Sequence, residues 1–349
     1  MATDFPDTSI NNPNTGVGWA NGDAFDDTAN SGLIYYWYDP VWKTSLSSAD
    51  ADAKYVEIDG DTMTGDLTVP SLNGGPLAGF RNQIINGDFR VWQRGTDFNA
   101  PADLTYTSDR WAVTFGSGRV LRTTDAPLGF NYAAALYTTQ RQSLVQMIEL
   151  DRTGHPGQFA VGTTWTVSFY LKGDVGAGSI NVGTRFVDDI SGTNLVSIMP
   201  YTLTNYDNTW TRYSHTFTIA ATPAGTNTAM NVTFDSQGGS PGSNNTLAIT
   251  GVQLEPGPVA TPFEHRPIGT ELALCQRYYV NDLRGEFGAS PRNSDNVGVL
   301  NFVFPVEMRV TPTTKTATVG TAYNAYTKGI SVFSTSDSWS TVVTADAEL

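Results

Sequence analysis

Cysteine is almost absent from this chain. Cys275 stands alone, so no intrachain disulfide can form and the fold must rest on packing. A single thiol also fits a protein made in a reducing cytoplasm. Charge is scarce, at 15% of residues, and basic charge is the scarcer sign, with 20 Lys and Arg against 34 Asp and Glu. The net charge of −14 leaves no surplus of cations for phosphate, so nucleic acid is not an expected partner. No apolar run reaches the roughly 20 residues of a membrane span, so membrane insertion is not expected. The opening MATDFPDTSINN lacks the basic start and apolar stretch of a secretion signal.

Catalytic spacings are missing too. His155, His215 and His265 are far apart and lack any H-E-x-x-H arrangement, and His215 reads as a core histidine on an apolar strand face. Gly238–Gly242 fits G-x-S-x-G, but Pro241 follows Ser240 and has no N–H for an oxyanion hole, so the segment reads as a turn. Asp188 and Asp189 are adjacent, whereas a glycosidase pair faces across about 5–10 Å, so they read as a strand-end turn. The glycine-rich GDVGAGS and NGGPLAG lack the phosphate-loop patterns. The expectation is no catalytic residue, no metal, no cofactor and no enzyme.

What is present is Thr, Asn, Ser and Gly, with 34 Gly and 18 Pro, the profile of many short strands joined by turns. The chain's 349 residues suit two or three domains. Residues 1–45 form a first unit, an extended polar arm followed by an aromatic strand. Leu33, Tyr35 and Trp37 alternate with Ile34, Tyr36 and Tyr38, and both sets are apolar or aromatic. Such a strand needs cover on both faces, which so small a unit cannot supply. Leu33, Tyr35, Trp37 and Trp42 are therefore expected to make docking or oligomer contacts. Residues 46–80 form a neck in which Ile58, Met63, Leu67, Val69 and Leu72 are too sparse for a single-chain core, so Met63 and Leu67 join the expected oligomer contacts. Asp59, Asp61 and Asp66 read as turn residues, since Met63 occupies the place where a calcium loop needs an oxygen.

Residues 81–268 carry period-two strands. Trp165, Val167, Phe169 and Leu171 share one face; so do Ile180, Val182 and Phe186; Tyr213, His215, Phe217 and Ile219; and Met230, Val232 and Phe234. Two antiparallel sheets in an all-β jelly-roll sandwich are the natural packing. Within residues 250–279 a strand through Val252 and Leu254 stops at Pro256-Gly257-Pro258, and an arm stiffened by Pro262 and Pro267 follows. Thr270 then caps a short helix, with Leu272, Cys275 and Tyr279 on one face. Residues 269–349 form a small β tip domain, with Leu300, Phe302, Phe304, Val306, Met308 and Val310 on one strand face and further strands near 316–319, 329–334 and 340–345.

Several long motifs occur in order: RNQIINGDFRVWQRG (81–95), YTSDRW (106–111), VQLEPG (252–257), ATPFEHRP (260–267), ELALCQRYY (271–279) and the ending TADAEL. Together they resemble bacteriophage tail fibre proteins, over roughly Arg81–Leu349. In that family the first motif opens a jelly roll and QLE…ATPFE-x-R closes it. The first unit is similar to N-terminal modules that dock on a phage tail or baseplate, and DGDTMTGDLT resembles trimeric fibre shafts. The resemblance implies a homotrimer in the virion, made in the host cytoplasm, bound to other tail or baseplate proteins through its N-terminus and to a host-surface glycan or protein farther out. The jelly roll is also similar to the carbohydrate-binding modules of cellulases and xylanases, whose structural calcium is not carried over because Arg90 and Thr250-Gly251 stand where its ligands would be.

Sugar binding needs aromatic faces flanked by polar groups. Tyr106, Tyr170, Tyr201, Tyr206, Trp210 and Tyr213 supply candidates, with Tyr170, Tyr206 and Trp210 preferred; Trp92, Trp111 and Trp165 read as core. Receptor contact is expected to concentrate toward the C-terminal end, where the polar loop Asn281–Asn296 offers Arg284 and Arg292. Two other readings compete with adhesion. One is a tail adaptor whose jelly roll binds only virion proteins. The other is a glycan depolymerase, which would show β-helix repeats or a facing acid pair.

Overall fold

A computed structural model of the protein describes backbone at 24–26, 34–38 and 41–44. From residue 80 to 348 it describes all but 116–117, 139–140, 151–156, 174–178, 193–194, 205, 237–244, 288–297, 313, 318–321 and 335–338. The chain divides into two compact units, Met1–Thr68 and Val69–Leu349. In the first, β1 (Ala24–Asp26), β2 (Ile34–Tyr38) and β3 (Val41–Thr44) form an antiparallel sheet. Tyr35 pairs with Phe25 and Thr44, and Trp37 pairs with Trp42. Leu33, Met63, Leu67 and the neck lie outside the described residues.

The second unit holds the jelly roll. Its strands are β4 (Asp97–Asn99), β5 (Thr105–Tyr106), β6 (Trp111–Thr114), β7 (Arg119–Thr123), β8 (Ala133–Thr138), β9 (Gln142–Glu149), β10 (Thr164–Gly173), β11 (Ile180–Val187), β12 (Val196–Leu203), β13 (Thr211–Thr218), β14 (Ala229–Ser236) and β15 (Asn245–Pro256). They make two six-stranded sheets, ordered β13-β10-β15-β8-β7-β4 and β12-β11-β14-β9-β6-β5. The chain crosses repeatedly between the sheets, and every pairing in them is antiparallel. Side chains alternate along each strand, so one face of each sheet meets the other over a shared core. Trp111, Phe89, Phe169 and Phe234 lie at its centre, with Phe169 edge-on to Phe234 at 4.9 Å.

Alternation alone misjudges β14, which reads as half-buried in the sequence yet is buried on both faces; nearly all of β9 beside it is buried as well. On the outer face Ala112, Val145, Met147, Val187 and Ala229 form a second small cluster, packed by Tyr106 and Ile190. His215 also departs from expectation: it is only half-buried, and its ring stacks on Tyr201 at 4.4 Å where the edge strands of the two sheets meet.

Beyond β15 comes one helix, α1 (Ile268–Gln276). It starts one turn earlier than the sequence suggests. Pro267, with φ −53°, occupies the cap position without a side-chain hydrogen bond, and Thr270 lies inside the helix. The helix ends before Tyr279, which opens β16 (Tyr279–Phe287); Glu271 and Cys275 are its buried residues. β17 (Gly298–Val303), β18 (Thr314–Ala317), β19 (Ala322–Tyr326), β20 (Gly329–Ser334) and β21 (Trp339–Asp346) complete two three-stranded sheets, β16-β21-β18 and β17-β20-β19. Phe302, Phe304, Met308, Ile330, Val332 and Val343 lie in their core. The expected long strand breaks at Val303, before Pro305, and Val310 is exposed.

Candidate functional site

The recurrent motifs meet each other at two buried joints. At the first, Asn82 Oδ1 accepts from the N–H groups of Ile84 and Leu254, both at 3.0 Å, and Asn82 Nδ2 donates to Val252 O at 3.1 Å. Glu264 accepts from the N–H of Asn82 at 2.9 Å, and Arg266 donates to Ile84 O at 3.1 Å and to Asn82 O. Glu255 accepts from Thr261 N at 2.9 Å and is bridged by Arg81 at 3.4 Å. RN-x-I-ING and QLE…ATPFE-x-R are thus two halves of one clasp.

The second joint gathers the remaining motifs. Arg94 bridges Asp346 at 3.0 Å and Glu348 at 3.3 Å, and Arg110 pairs with Glu348. Arg94 lies 3.5 Å over the Tyr279 ring and Arg110 3.4 Å over that of Tyr278. Asp109 accepts from Gln93 Nε2 at 2.6 Å, and Gln93 Nε2 also reaches Tyr279 O at 2.9 Å. Burial pushes the neighbouring Cys275 thiol well up, which keeps it protonated and unreactive.

The residues singled out for sugar contact do not converge. Tyr206 is 8% exposed and belongs to the main core, so its assignment to a ligand is corrected. Its ring fills the space beside Gly173, where a Cβ would lie 2.9 Å from it. Tyr170 is half-buried against Phe130, 5.2 Å between centroids. Trp210 hydrogen-bonds Asp125, which with Lys172 and Asn208 lines a pocket of about 290 Å³. There Asp125 accepts from Trp210 Nε1 at 3.0 Å and from Lys172 Nζ at 2.8 Å. Hydrogen bonds from Lys172 and then Trp210 hold the Asp125 carboxyl below its ordinary range. These groups satisfy one another and present little to a ligand. Arg284 is exposed and paired with Asp282 at 2.7 Å; Arg292 lies outside the described residues. Asp188 accepts from Asn227 Nδ2 at 2.7 Å and Asp189 from Ser191 N at 2.9 Å, as a turn requires.

A different site emerges on the outer face of the second sheet. Cross-strand register sets its floor: Thr233 stands opposite Val145 in one row, and Arg185 opposite Asn231 in the next. Loops rise around this floor and enclose a cleft of about 370 Å³, with Leu104, Phe115, Ile190 and Leu195 as apolar wall. Phe115 is 49% exposed and adopts φ +59°. Its N–H donates to Asp103 Oδ1 at 2.8 Å, which holds this strained conformation. Arg141 closes one end, 4.1 Å over the Phe115 ring and 2.9 Å from Asp235.

Asn231 is 4% exposed, and its Oδ1 has no hydrogen-bond partner. A buried amide oxygen left unpaired costs about 1–3 kcal/mol, a cost that a ligand hydroxyl could remove. In the sequence Asn231, Thr233 and Asp235 alternate with Met230, Val232 and Phe234, and read as an ordinary solvent face. The missing signal was cover from loops distant in the chain. Among the described residues no cluster of His, Cys, Asp or Glu is placed to hold a metal, and no helix is long and apolar enough to cross a membrane.

No protein-family model matches the chain, and no curated protein sequence does. Solved structures resemble it over about half its length. The enzymatically active domain of tailspike protein 4 of bacteriophage CBA120 aligns at 16% identity and a TM-score of 0.35, over 52% of this chain and 22% of that one. The module TmCBM61, solved with β-1,4-galactotriose, aligns at 14% identity and a TM-score of 0.30, over 51% of this chain and 99% of that one. The N-terminal cellulose-binding domain of Cellulomonas fimi β-1,4-glucanase C aligns at 15% identity and a TM-score of 0.28, over 48% and 97%.

Proposed function

We propose that this chain is a bacteriophage tail fibre or tail-tip protein, and that its jelly roll adheres to a host-surface glycan through the cleft above β11, β14 and β9. The cleft carries the binding part of this reading: a buried amide with a free acceptor faces a space bounded by an apolar wall. An apolar wall suits the C–H face of a pyranose, and a fixed amide suits its hydroxyls. The phage part rests on the motif resemblance. In this reading the protein sits in the virion, docks on tail or baseplate proteins through its first unit, and binds rather than cleaves.

The test is binding of the full chain to host-derived polysaccharide by titration calorimetry. Asn231→Ala and Phe115→Ala should each weaken binding about tenfold, the loss of one good polar or stacking contact. Thermal stability should hold, since neither side chain supports the core. Undiminished binding by both variants would remove the cleft from the site. No binding at all would favour the tail-adaptor reading, and release of reducing sugar would favour the depolymerase.

The same reading makes the chain a homotrimer, because the neck's few apolar residues need partners. Light scattering at micromolar concentration should give three times the 37.6 kDa chain mass. A monomer would sink the trimer.

A further inference from the structure

Arg185 differs from most arginines around it. Arg94, Arg110, Arg141, Arg266 and Arg277 each hold a carboxylate in an ion pair. Among the described residues Arg185 holds none, although it lines the cleft and is half-buried there. Its position is built. Residue 183, two places back on the same face of β11, is glycine; a Cβ there would lie 3.4 Å from Arg185 Nη2, so the guanidinium lies back over its own strand. Directly across the ladder stands Asn231, with its unpartnered Oδ1. The nearby Thr233 hydroxyl is already committed to Gly183 O at 3.2 Å. Asp103, the carboxylate of the cleft wall, is engaged by the N–H groups of Leu104 at 3.1 Å and Phe115 at 2.8 Å. Arg141, at the far end, is neutralised by Asp235.

We infer that the cleft takes an acidic saccharide, a uronic-acid-type sugar whose carboxylate is gripped by Arg185 while Asn231 accepts a ring hydroxyl; the inference rests on the glycan-binding reading of this cleft. A planar guanidinium matches a carboxylate with two parallel hydrogen bonds. In a half-buried site that pairing is screened less than at an open surface. The rest of the chain sharpens the point. With a net charge of −14 it repels anionic polymers in general, so an acidic glycan would be drawn only to a local cation.

The experiment compares alginate-, hyaluronan- and polygalacturonate-derived oligosaccharides with their carboxyl-reduced, neutral counterparts, titrated into the full chain. At least one uronate should bind tenfold or more tighter than its reduced partner, and more weakly as salt rises. Arg185→Gln should abolish that preference, Arg185→Lys should restore part of it, and the unfolding temperature should stay constant in both. No uronate exceeding its reduced counterpart, or an undiminished preference in Arg185→Gln, overturns the acidic assignment. Neutral glycans bound in a manner sensitive to Asn231→Ala would leave the cleft reading standing while the acidic assignment falls. Indifference of every glycan to Asn231→Ala and Phe115→Ala would bring down both.

Discussion

Replacing Glu348 with alanine should cost about 3–5 kcal/mol and lower the unfolding temperature by roughly 10 °C. Only 5% of the Glu348 side chain and 1% of the Arg110 side chain are exposed. Taking the carboxylate away leaves Arg110 fully buried against Tyr278, with water unable to replace what was lost. Arg94 would suffer less, because Asp346 remains beside it at 3.0 Å. Burial pushes the Glu348 carboxyl up while Arg110 and Arg94 pull it down. The attraction between the charges is therefore largely offset by desolvation, and the damage comes from leaving one charge unmatched. A paired change makes this distinction measurable. Arg110→Met with Glu348→Leu, which removes both charges and keeps volume, should recover most of the lost stability. Calorimetry on the four proteins of the cycle decides it. A loss below about 1 kcal/mol for Glu348→Ala would show that the joint is wetter than the structure places it.

Gly87→Ala should destabilise by about 3 kcal/mol, at the upper end for one added methyl group. A Cβ on residue 87 would lie 2.1 Å from Val252 O and 3.2 Å from Ile84 Cγ2. The first obstacle is backbone and cannot rotate away. It is also pinned, since Val252 N donates to Gly87 O at 2.9 Å. The neighbours leave no slack. Asn86 holds φ +56°, its Oδ1 accepting from Val91 N at 2.9 Å and its Nδ2 donating to Val91 O at 2.8 Å. Gly225→Ala is the control: a Cβ there meets nothing within 4 Å, and stability should change by less than about 0.5 kcal/mol. Equal effects at the two positions, read from urea midpoints, would refute the steric account.

These two positions show what the sequence makes legible and what it hides. Period two in TWTVSFYLKG and INVGTRFV located β10 and β11 and their core faces, because alternation is a local consequence of the pleat. The motifs were visible as words, but not their purpose. Asn82 and Leu254, or Arg110 and Glu348, become partners only through the topology, and the words prove to be the matched halves of joints. The cleft was hidden for a related reason. Nothing local to Asn231 or Arg185 separates a polar residue facing water from one roofed by a loop. Tyr206 erred the other way: an aromatic among polar neighbours looked available, and the sandwich edge swallowed it. Trp210 reads from the sequence as an available ring, yet its N–H and the nearby Lys172 are both spent on Asp125.

The two joints also set the order in which the molecule can form. Asn82 meets Val252 across 170 positions of chain, and Arg110 meets Glu348 across 238. Contacts of such separation appear only after intervening loops have closed, so search time rather than contact strength limits how fast the native state is reached. Until the second joint closes, Arg94 and Arg110 remain hydrated, and the surfaces they later seal stay open to neighbouring chains. Copies held side by side would meet during that interval, when exchange of a late strand between them is easiest.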